Sequence, residues 1–362
     1  MCFAGNTNLG LSSYETADEQ SQRGIIRIRM QIRIHTHAEA FAQLAPEWRM
    51  LQGSLAFDSI FFTPEWQQLT WQEFGQGELQ IVAVHDDGGA LIALAPLALH
   101  EGTLGFAAYK EISDYLDVLI APGHEDAAFE ALLGWLAGPT APAWTTISLT
   151  NIVESSPTFA RFADLLRAQS WQVETPVEDV CPVIALPATF DAYLAMLDGK
   201  ERRELQRKLR RAAEESRVVV VSNPETLESD VADFLALMKA SMVTKSEFMT
   251  PRMEAFFQKM AHTMQQAGWL QLSFLEVGDE EPLTRAAAYL NFVYGDAVLV
   301  YNSGLAPLKF AHLSPGQVLI ARLIERAIAE KRHLFDFLQG NESYKYGLGG
   351  GNVTLRTLAV RR

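Results

Sequence analysis

The chain has 362 residues, 48% hydrophobic and 20% charged, a globular composition long enough for two domains of ordinary size. Its formal net charge of -14 opposes attraction to phosphate, so double-stranded nucleic acid is not expected as a partner. Cys2 and Cys181 are too few for a disulfide framework, and no apolar run reaches the length of a transmembrane segment.

In chain order, residues 1–24 are rich in Ser, Gln, Gly and acidic side chains and hold no apolar stretch. They read as a flexible N-terminal tail and not as a secretory signal, which with the cysteine usage predicts a cytoplasmic protein. His35 and His37 would share one face of a strand, but no third ligand stands near, and no metal is expected. Phe61-Phe62-Thr63-Pro64 opens a helical pattern, with Thr as cap and Pro in the first turn. LQIVAV, from Leu79, then turns at HDDGG into ALIALAPLAL, a hairpin by its turn chemistry. Pro122-Gly123 precedes the helix EDAAFEALLGWL, the strand TTISL begins at Thr145, and NIVESSPTFARFADLLRAQ reads as an amphipathic helix.

The same order then returns. Phe248-Met249-Thr250-Pro251 opens a helix 187 positions after the first. LQLSFLEV, from Leu270, turns at GDEEP into TRAAAYLNFVY, Pro315-Gly316 precedes QVLIARLIERAI, and LFDFL follows from Leu334. Matched points stay 187 to 193 residues apart. Five matches in one order predict a tandem duplication of a unit of roughly 150 residues. Helices around a mostly antiparallel sheet make each unit α+β. The extended CPVIALP (181–187), leading into the helical DAYLAML, marks the expected boundary. This gives a support domain over 25–186 and a chemical domain over 187–362.

Differences between the halves point at function. At SPGQ, Ser314 reads as an N-cap, Pro315 as the first helical residue and Gln317 as the partner in a capping box. Leu319, Leu323 and Ala327 with Ile320, Ile324 and Ile328 form the buried face of that helix. Its start, with Gly316 in the first turn, suits a pyrophosphate; the plain alternative is a well-capped core helix. The basic run KERRELQRKLRRAAEE offers Arg203, Arg207 and Arg211 to an anionic substrate, or is a solvated helix held by pairs such as Glu204 with Lys208. After its last strand the first half has an amphipathic helix, whereas the second gathers Asp336, Glu342, Tyr344, Lys345 and Tyr346 in FDFLQGNESYKYGLGGG. GLGGGN neither follows a strand directly nor opens a helix, so it is a poor phosphate fingerprint. G-x-S-x-G, H-E-x-x-H and G-x-x-x-x-G-K are all missing, which leaves hydrolase, zinc-protease and P-loop readings without support.

Ser314-Pro315-Gly316, Phe335-Asp336-Phe337 with Gly340, and Tyr344-Lys345, together with FFTPEW, LIALAPL, SDYLDVLI and KERRELQRKLRR, carry a family resemblance over residues 30–360. The chain resembles the CelD-like (cellulose-biosynthesis-type) acetyltransferase-domain family of the GNAT superfamily of N-acyltransferases. It is also similar to the Fem-type aminoacyltransferases, which pair two GNAT-like domains. The resemblance implies a duplicated GNAT-like domain with a degenerate first copy, and transfer of an acyl group, acetyl foremost, from acyl-CoA to a small-molecule amine such as a sugar or cell-envelope precursor. It places the pantetheine beside Val300 and Tyr301 and the pyrophosphate at Ser314, Gly316, Gln317 and Val318. It gives Lys345 the oxyanion or an anionic substrate and Tyr344 or Tyr346 the departing thiolate; by residue type, Asp336 and Glu342 are the candidates to accept the amine proton. The family's phosphate loop commonly reads Q/R-x-x-G-x-G/A, and here Leu313 and Val318 depart from it, so that only Gly316 matches. That leaves room for another donor, as in a Fem-type aminoacyl-tRNA-dependent transferase, although no helical-hairpin insertion is evident. A non-catalytic binding module in polysaccharide biosynthesis is the reading from another class.

Overall fold

The computed structural model describes residues 30–278, 283–306 and 309–362. The expected tail at 1–24 lies outside them, as does most of the GDEEP turn. The chain forms two compact units, one of the described residues up to Glu178 with Leu355–Arg362, the other of Asp179–Thr354.

In the first unit β1 (Gln31–His35) leads into α1 (Ala40–Gln52) and α2 (Pro64–Phe74). The Thr63 hydroxyl accepts the Trp66 N–H at 3.2 Å and Pro64 takes the first helical position, as its sequence predicts. β2 (Glu78–His85), β3 (Leu91–His100) and β4 (Thr103–Phe106) form an antiparallel meander beside β1. β2 and β3 are buried almost throughout, as strands covered on both faces are. After β5 (Leu119–Ile120), α3 (Glu125–Ala137) returns the chain to β6 (Thr146–Val153), parallel to β4. A parallel neighbour needs such a crossover. α4 (Ala163–Arg167) and β7 (Gln172–Glu174) follow, and residues 355–361 close the sheet antiparallel to β6. The helix expected over NIVESSPTFARFADLLRAQ is shorter than its pattern: Asn151–Val153 still belong to β6, and helical turns begin only at Thr158. Ile152 and Val153 are β-branched and favour the strand, and Ser-Ser-Pro ends it.

In the second unit β8 (Val177–Ala185) contributes from Asp179 onward, followed by α5 (Phe190–Met196), α6 (Gly199–Ala212) and β9 (Ser216–Val220). α7 (Leu227–Ser241), α8 (Val243–Phe248) and α9 (Pro251–Gln266) come next. The Thr250 hydroxyl caps α9 by accepting the Met253 N–H at 3.3 Å. β10 (Leu270–Val277), β11 (Thr284–Tyr294) and β12 (Ala297–Leu305) continue an antiparallel sheet from β9. α10 (Pro315–Ala329) crosses to β13 (Leu334–Asp336), which is parallel to β12 and antiparallel to β8. α11 (Ser343–Gly347) and β14 (Gly351–Arg361) end the chain, β14 closing the first unit from Leu355.

Both units therefore share one plan: four antiparallel strands, a crossover helix, a fifth strand parallel to the fourth, and a sixth antiparallel to the fifth. The duplication predicted from sequence is present in the fold, an α+β arrangement with a mostly antiparallel mixed sheet flanked by helices. Each sixth strand is supplied by the chain that follows the other repeat's fifth strand. In the second unit α10 and α6 bury Leu319, Leu323, Leu205 and Leu209 against Tyr289, Val298 and Val300. On the alternate face, the Tyr301 ring packs against Phe257 of α9 and Phe292 at 5.9 and 4.9 Å. No helix among the described residues is long and apolar enough to cross a membrane.

Candidate active site

The site begins where two parallel strands part. β12 and β13 pair only through Ala297–Leu334, Val298–Phe335 and Leu299–Asp336. Beyond that point β12 runs on to Leu305 while the chain after Asp336 turns away. A bulge falls at the same level: Leu290 faces Asn302 and Asn291 faces Val300, so the register with β11 steps at Tyr301. Bulges re-aim a strand, and this one opens the gap.

The turn after β13 is built around one ammonium group. Asp336 Oδ1 accepts the Leu338 N–H at 2.7 Å and steadies Leu338 at a φ of 56°. The carbonyls of Leu338, Gln339 and Gly340 then converge on Lys345 Nζ at 3.2, 2.7 and 3.1 Å, with Glu342 Oε2 at 2.9 Å. Lys345 is 3% exposed. An ammonium has three N–H groups, so these oxygens occupy all of them. Gly340 has a φ of 113°, and a Cβ there would lie 2.5 Å from Glu342 Oε2, so only glycine admits both the bend and the carboxylate.

Other polar groups gather beside this turn. The half-buried Tyr344 ring stands edge-on to Phe337, with centroids 6.2 Å apart. Burial, and then the Glu342 charge, push its hydroxyl well above the ordinary phenol range. Burial raises Tyr289 of β11 in the same way, with the neighbouring Tyr344 adding to it. Both hold their protons at neutral pH. From α8, Lys245 Nζ donates to Ser303 O at 2.6 Å and to Ser303 Oγ at 3.2 Å. Burial lowers its pKa, while the Glu342 charge opposes that shift and the Lys345 charge adds to it. Sequence reasoning missed Lys245, since MVTKSEF carries no motif.

The remaining expected residues fall into two groups. Val300 is buried in the α10 core and the Tyr301 ring in the aromatic cluster on the other face, so their side chains are core and their backbone is what remains for a ligand. The capping box is not formed. Ser314 sits in the left-handed region (φ 54°, ψ 54°) without a side-chain cap bond, where a capping serine needs extended backbone. The turn Ala311–Leu313, anchored by buried Leu313, imposes that reversal. Gln317 Oε1 instead accepts from Lys208 Nζ. Val318 is buried, and a Cβ on Gly316 would lie 2.8 Å from Leu305 Cδ2, so the Leu305 side chain packs directly on the glycine at the start of α10.

On α6, Glu204 pairs with Arg207 at 2.6 Å and with Lys208 at 3.3 Å. The Arg207 hydrogen bonds lead in pulling its carboxyl down to about 2. Arg211 Nη1 donates to His312 O at 3.0 Å, and Arg203 is exposed. The basic helix thus brings Lys208 and Arg211 to the start of α10. A cleft of about 480 Å³ lies between these elements and α11, lined among others by Asp198, Glu201, Glu204, Lys208, Gln317 and Tyr344. Glu201 marks its α11 side, with Oε2 3.3 Å from where a Cβ on Gly347 would be. Among the described residues no group of three or more His, Cys, Asp or Glu is placed to hold a metal.

Residues 199–346 match the family model described as an acetyltransferase (GNAT) domain. That span holds the parted strands, the turn and most of the cleft lining, so the second unit carries a GNAT-type acyltransferase domain. No curated protein matches the chain. Among solved structures the fold is similar to FemX, at a TM-score of 0.64 and 10% identity over 86% of this chain and 95% of that one. It is similar too to the C-terminal domain of a putative lysylphosphatidylglycerol synthetase from Agrobacterium fabrum, at a TM-score of 0.55, 10% identity and coverage of 89% and 93%. L-PGS from Bacillus licheniformis gives a TM-score of 0.53 at 11% identity, covering 90% of each chain. At these identities the likeness is one of fold.

Proposed function

We propose that the protein is an N-acyltransferase of the CelD-like kind, moving an acyl group, acetyl foremost, from acyl-CoA to the amine of a small molecule such as a sugar or cell-envelope precursor. The observation that carries this reading is the gap between β12 and β13, with Glu342, Tyr344 and Lys245 collected at its end. The donor thioester would lie along the Val300–Ser303 backbone. Its phosphates would sit at the start of α10, where Lys208 and Arg211 supply charge. Glu342, 58% exposed, is placed to take a proton from the acceptor ammonium, directly or through water. The neutral amine then bonds to the acyl carbon as the C–S bond breaks, Tyr344 donates its O–H proton to the leaving sulfur, and the proton shed by the new amide nitrogen returns to Tyr344. Asp336 and Lys345 act at one remove, by holding the turn that carries Glu342 and Tyr344. Asp198 and Glu201 suit an acceptor that bears an amine. The first unit is the support domain in this reading, and the cytoplasm is the setting the cysteine usage suggests.

A second reading, transfer of an aminoacyl group from aminoacyl-tRNA, gains support from the likeness to FemX and to the two lysylphosphatidylglycerol-synthetase-type structures. The exposed arginines of α6 give a polyanion a place to bind. Thermal unfolding with millimolar acetyl-CoA, longer acyl-CoAs, free CoA and aminoacyl-tRNA separates the two. A ligand at about 100 times its Kd adds about 2.7 kcal/mol, which moves the midpoint by several degrees. The first reading expects a shift with CoA species that is lost in the Lys208→Ala, Arg211→Ala double variant. A shift with aminoacyl-tRNA alone replaces it with the second, and no shift with any donor rejects both.

A further inference from the structure

Acyl transfer puts negative charge on the carbonyl oxygen as the amine attacks, and the site needs a donor aimed at that oxygen. Lys345 is the cation that family resemblance offers, but its N–H groups are committed to the carbonyls of residues 338, 339 and 340 and to Glu342. It is also 3% exposed, so a substrate oxygen would have to displace one of those partners. Lys245 stands differently. It reaches β12 beyond the point where β13 has left, it spends two N–H groups on Ser303 O and Oγ, and its third is uncommitted among the described residues. After burial, the charges that act on it are those of Glu342 and Lys345. The matching position in the first repeat, 187 residues earlier, is Asp58, which accepts from Gln52 Nε2 and from the Ser59 N–H at 2.7 Å each and so holds its own turn.

We infer that Lys245 is the cation that stabilises the acyl carbonyl oxygen during transfer, through the N–H it does not spend on Ser303. The inference rests on the acyltransferase reading of this site. No bond to Lys245 forms or breaks. As the N–C bond forms, the carbonyl electron pair moves onto oxygen and is held by the Lys245 ammonium. It returns to the C=O as the C–S bond breaks and the sulfur leaves with its pair.

The test compares Lys245→Gln and Lys245→Ala with the wild type in two measurements. One is CoA release from acetyl-CoA, with glucosamine and hydroxylamine as acceptor amines. The other is calorimetric binding of S-acetonyl-CoA, a ketone that offers the carbonyl oxygen but cannot transfer, against binding of free CoA. In Lys245→Gln the side-chain amide can still donate to Ser303 O, so a purely structural Lys245 is repaired by this change. The expected result is a fall of about 100-fold or more in kcat in both variants with little change in KM for acetyl-CoA, in line with loss of an oxyanion donor. S-acetonyl-CoA should bind at least ten times more weakly to each variant while free CoA binds unchanged, and methylammonium should restore part of the Lys245→Ala rate. A glutamine variant within threefold of wild type in kcat and in S-acetonyl-CoA binding overturns the role of Lys245 and leaves the acyltransferase reading standing. A wild type that neither releases CoA nor binds S-acetonyl-CoA overturns that reading and the inference with it.

Discussion

The two units treat the same architectural gap in opposite ways. In the first, β4 and β6 pair through Thr103–Thr146, Leu104–Ile147 and Gly105–Ser148 and then part, as β12 and β13 do. There the chain closes its own opening. Asn151, at a φ of 59°, donates Nδ2 to the carbonyls of Lys110 and Ser113 at 3.1 and 2.7 Å, and its own carbonyl accepts the Leu116 N–H at 2.9 Å. Trp66 Nε1 ties down Ser113 Oγ at 2.9 Å, and Tyr115 and Leu116 are buried. In the second unit the corresponding place is ringed by Lys245, Glu342 and Tyr344. One copy of the fold spends its gap on stability, and the other leaves ionisable groups at the edge of its own.

Breaking the turn of the second unit should have the largest effect. Lys345→Met leaves the carbonyls of 338–340 and Glu342 without their shared donor, and each buried carbonyl left unpaired costs about 1–3 kcal/mol. Urea unfolding should show that loss, in contrast to Lys245→Gln, which should lie within about 1 kcal/mol of wild type. Asn151→Ala should cost about 1–3 kcal/mol by orphaning the Lys110 and Ser113 carbonyls, while kcat for acyl transfer stays unchanged. A fall in kcat there would mean that the first unit is part of the machinery.

A pH effect in the first unit comes next. Burial pushes Asp117 from 3.8 up to about 6, against hydrogen bonds from Ser156, Thr158 and the Val118 N–H. The folded state then holds a proton that the unfolded state has released, so this contribution is fully present below pH 3.8 and is lost as the pH rises through about 6. The loss is on the order of 3 kcal/mol. Asp117→Asn should remove that slope from a series of unfolding curves between pH 4 and 7. The smallest effect is expected for Asp336→Asn, whose Oδ1 still accepts the Leu338 N–H. Stability within about 1 kcal/mol and kcat within tenfold are expected, and a loss of several hundredfold would make Asp336 the base after all.

Much of this was legible in the chain. Thr63-Pro64 and Thr250-Pro251 announce their helices because capping is local chemistry, and the repeated order of caps, hairpins and Pro-Gly starts announces the duplication. The cluster at Glu342, Tyr344 and Lys345 is visible because few cores gather such groups. Its internal wiring is not, because three backbone carbonyls meeting one ammonium depend on Leu338 and Gly340 adopting positive φ. Ser314 misled for the same reason: its spacing to Gln317 fits a capping box, but a left-handed φ turns the hydroxyl away from the helix. Lys245 was invisible because its partner, Ser303, lies 58 residues away and meets it only through the packing of α7 and α8 on β12. The closing strands were equally hidden, since nothing in β8 or β14 records which repeat each will complete.

Backbone hydrogen exchange with and without acetyl-CoA tests most directly whether the second unit's gap is the one that takes a substrate. Protection is expected in peptides covering 297–305, 314–320 and 338–347, with exchange unchanged over 103–118 and 146–158. Protection confined to the first unit's segments, or exchange identical with and without acetyl-CoA throughout, would contradict it.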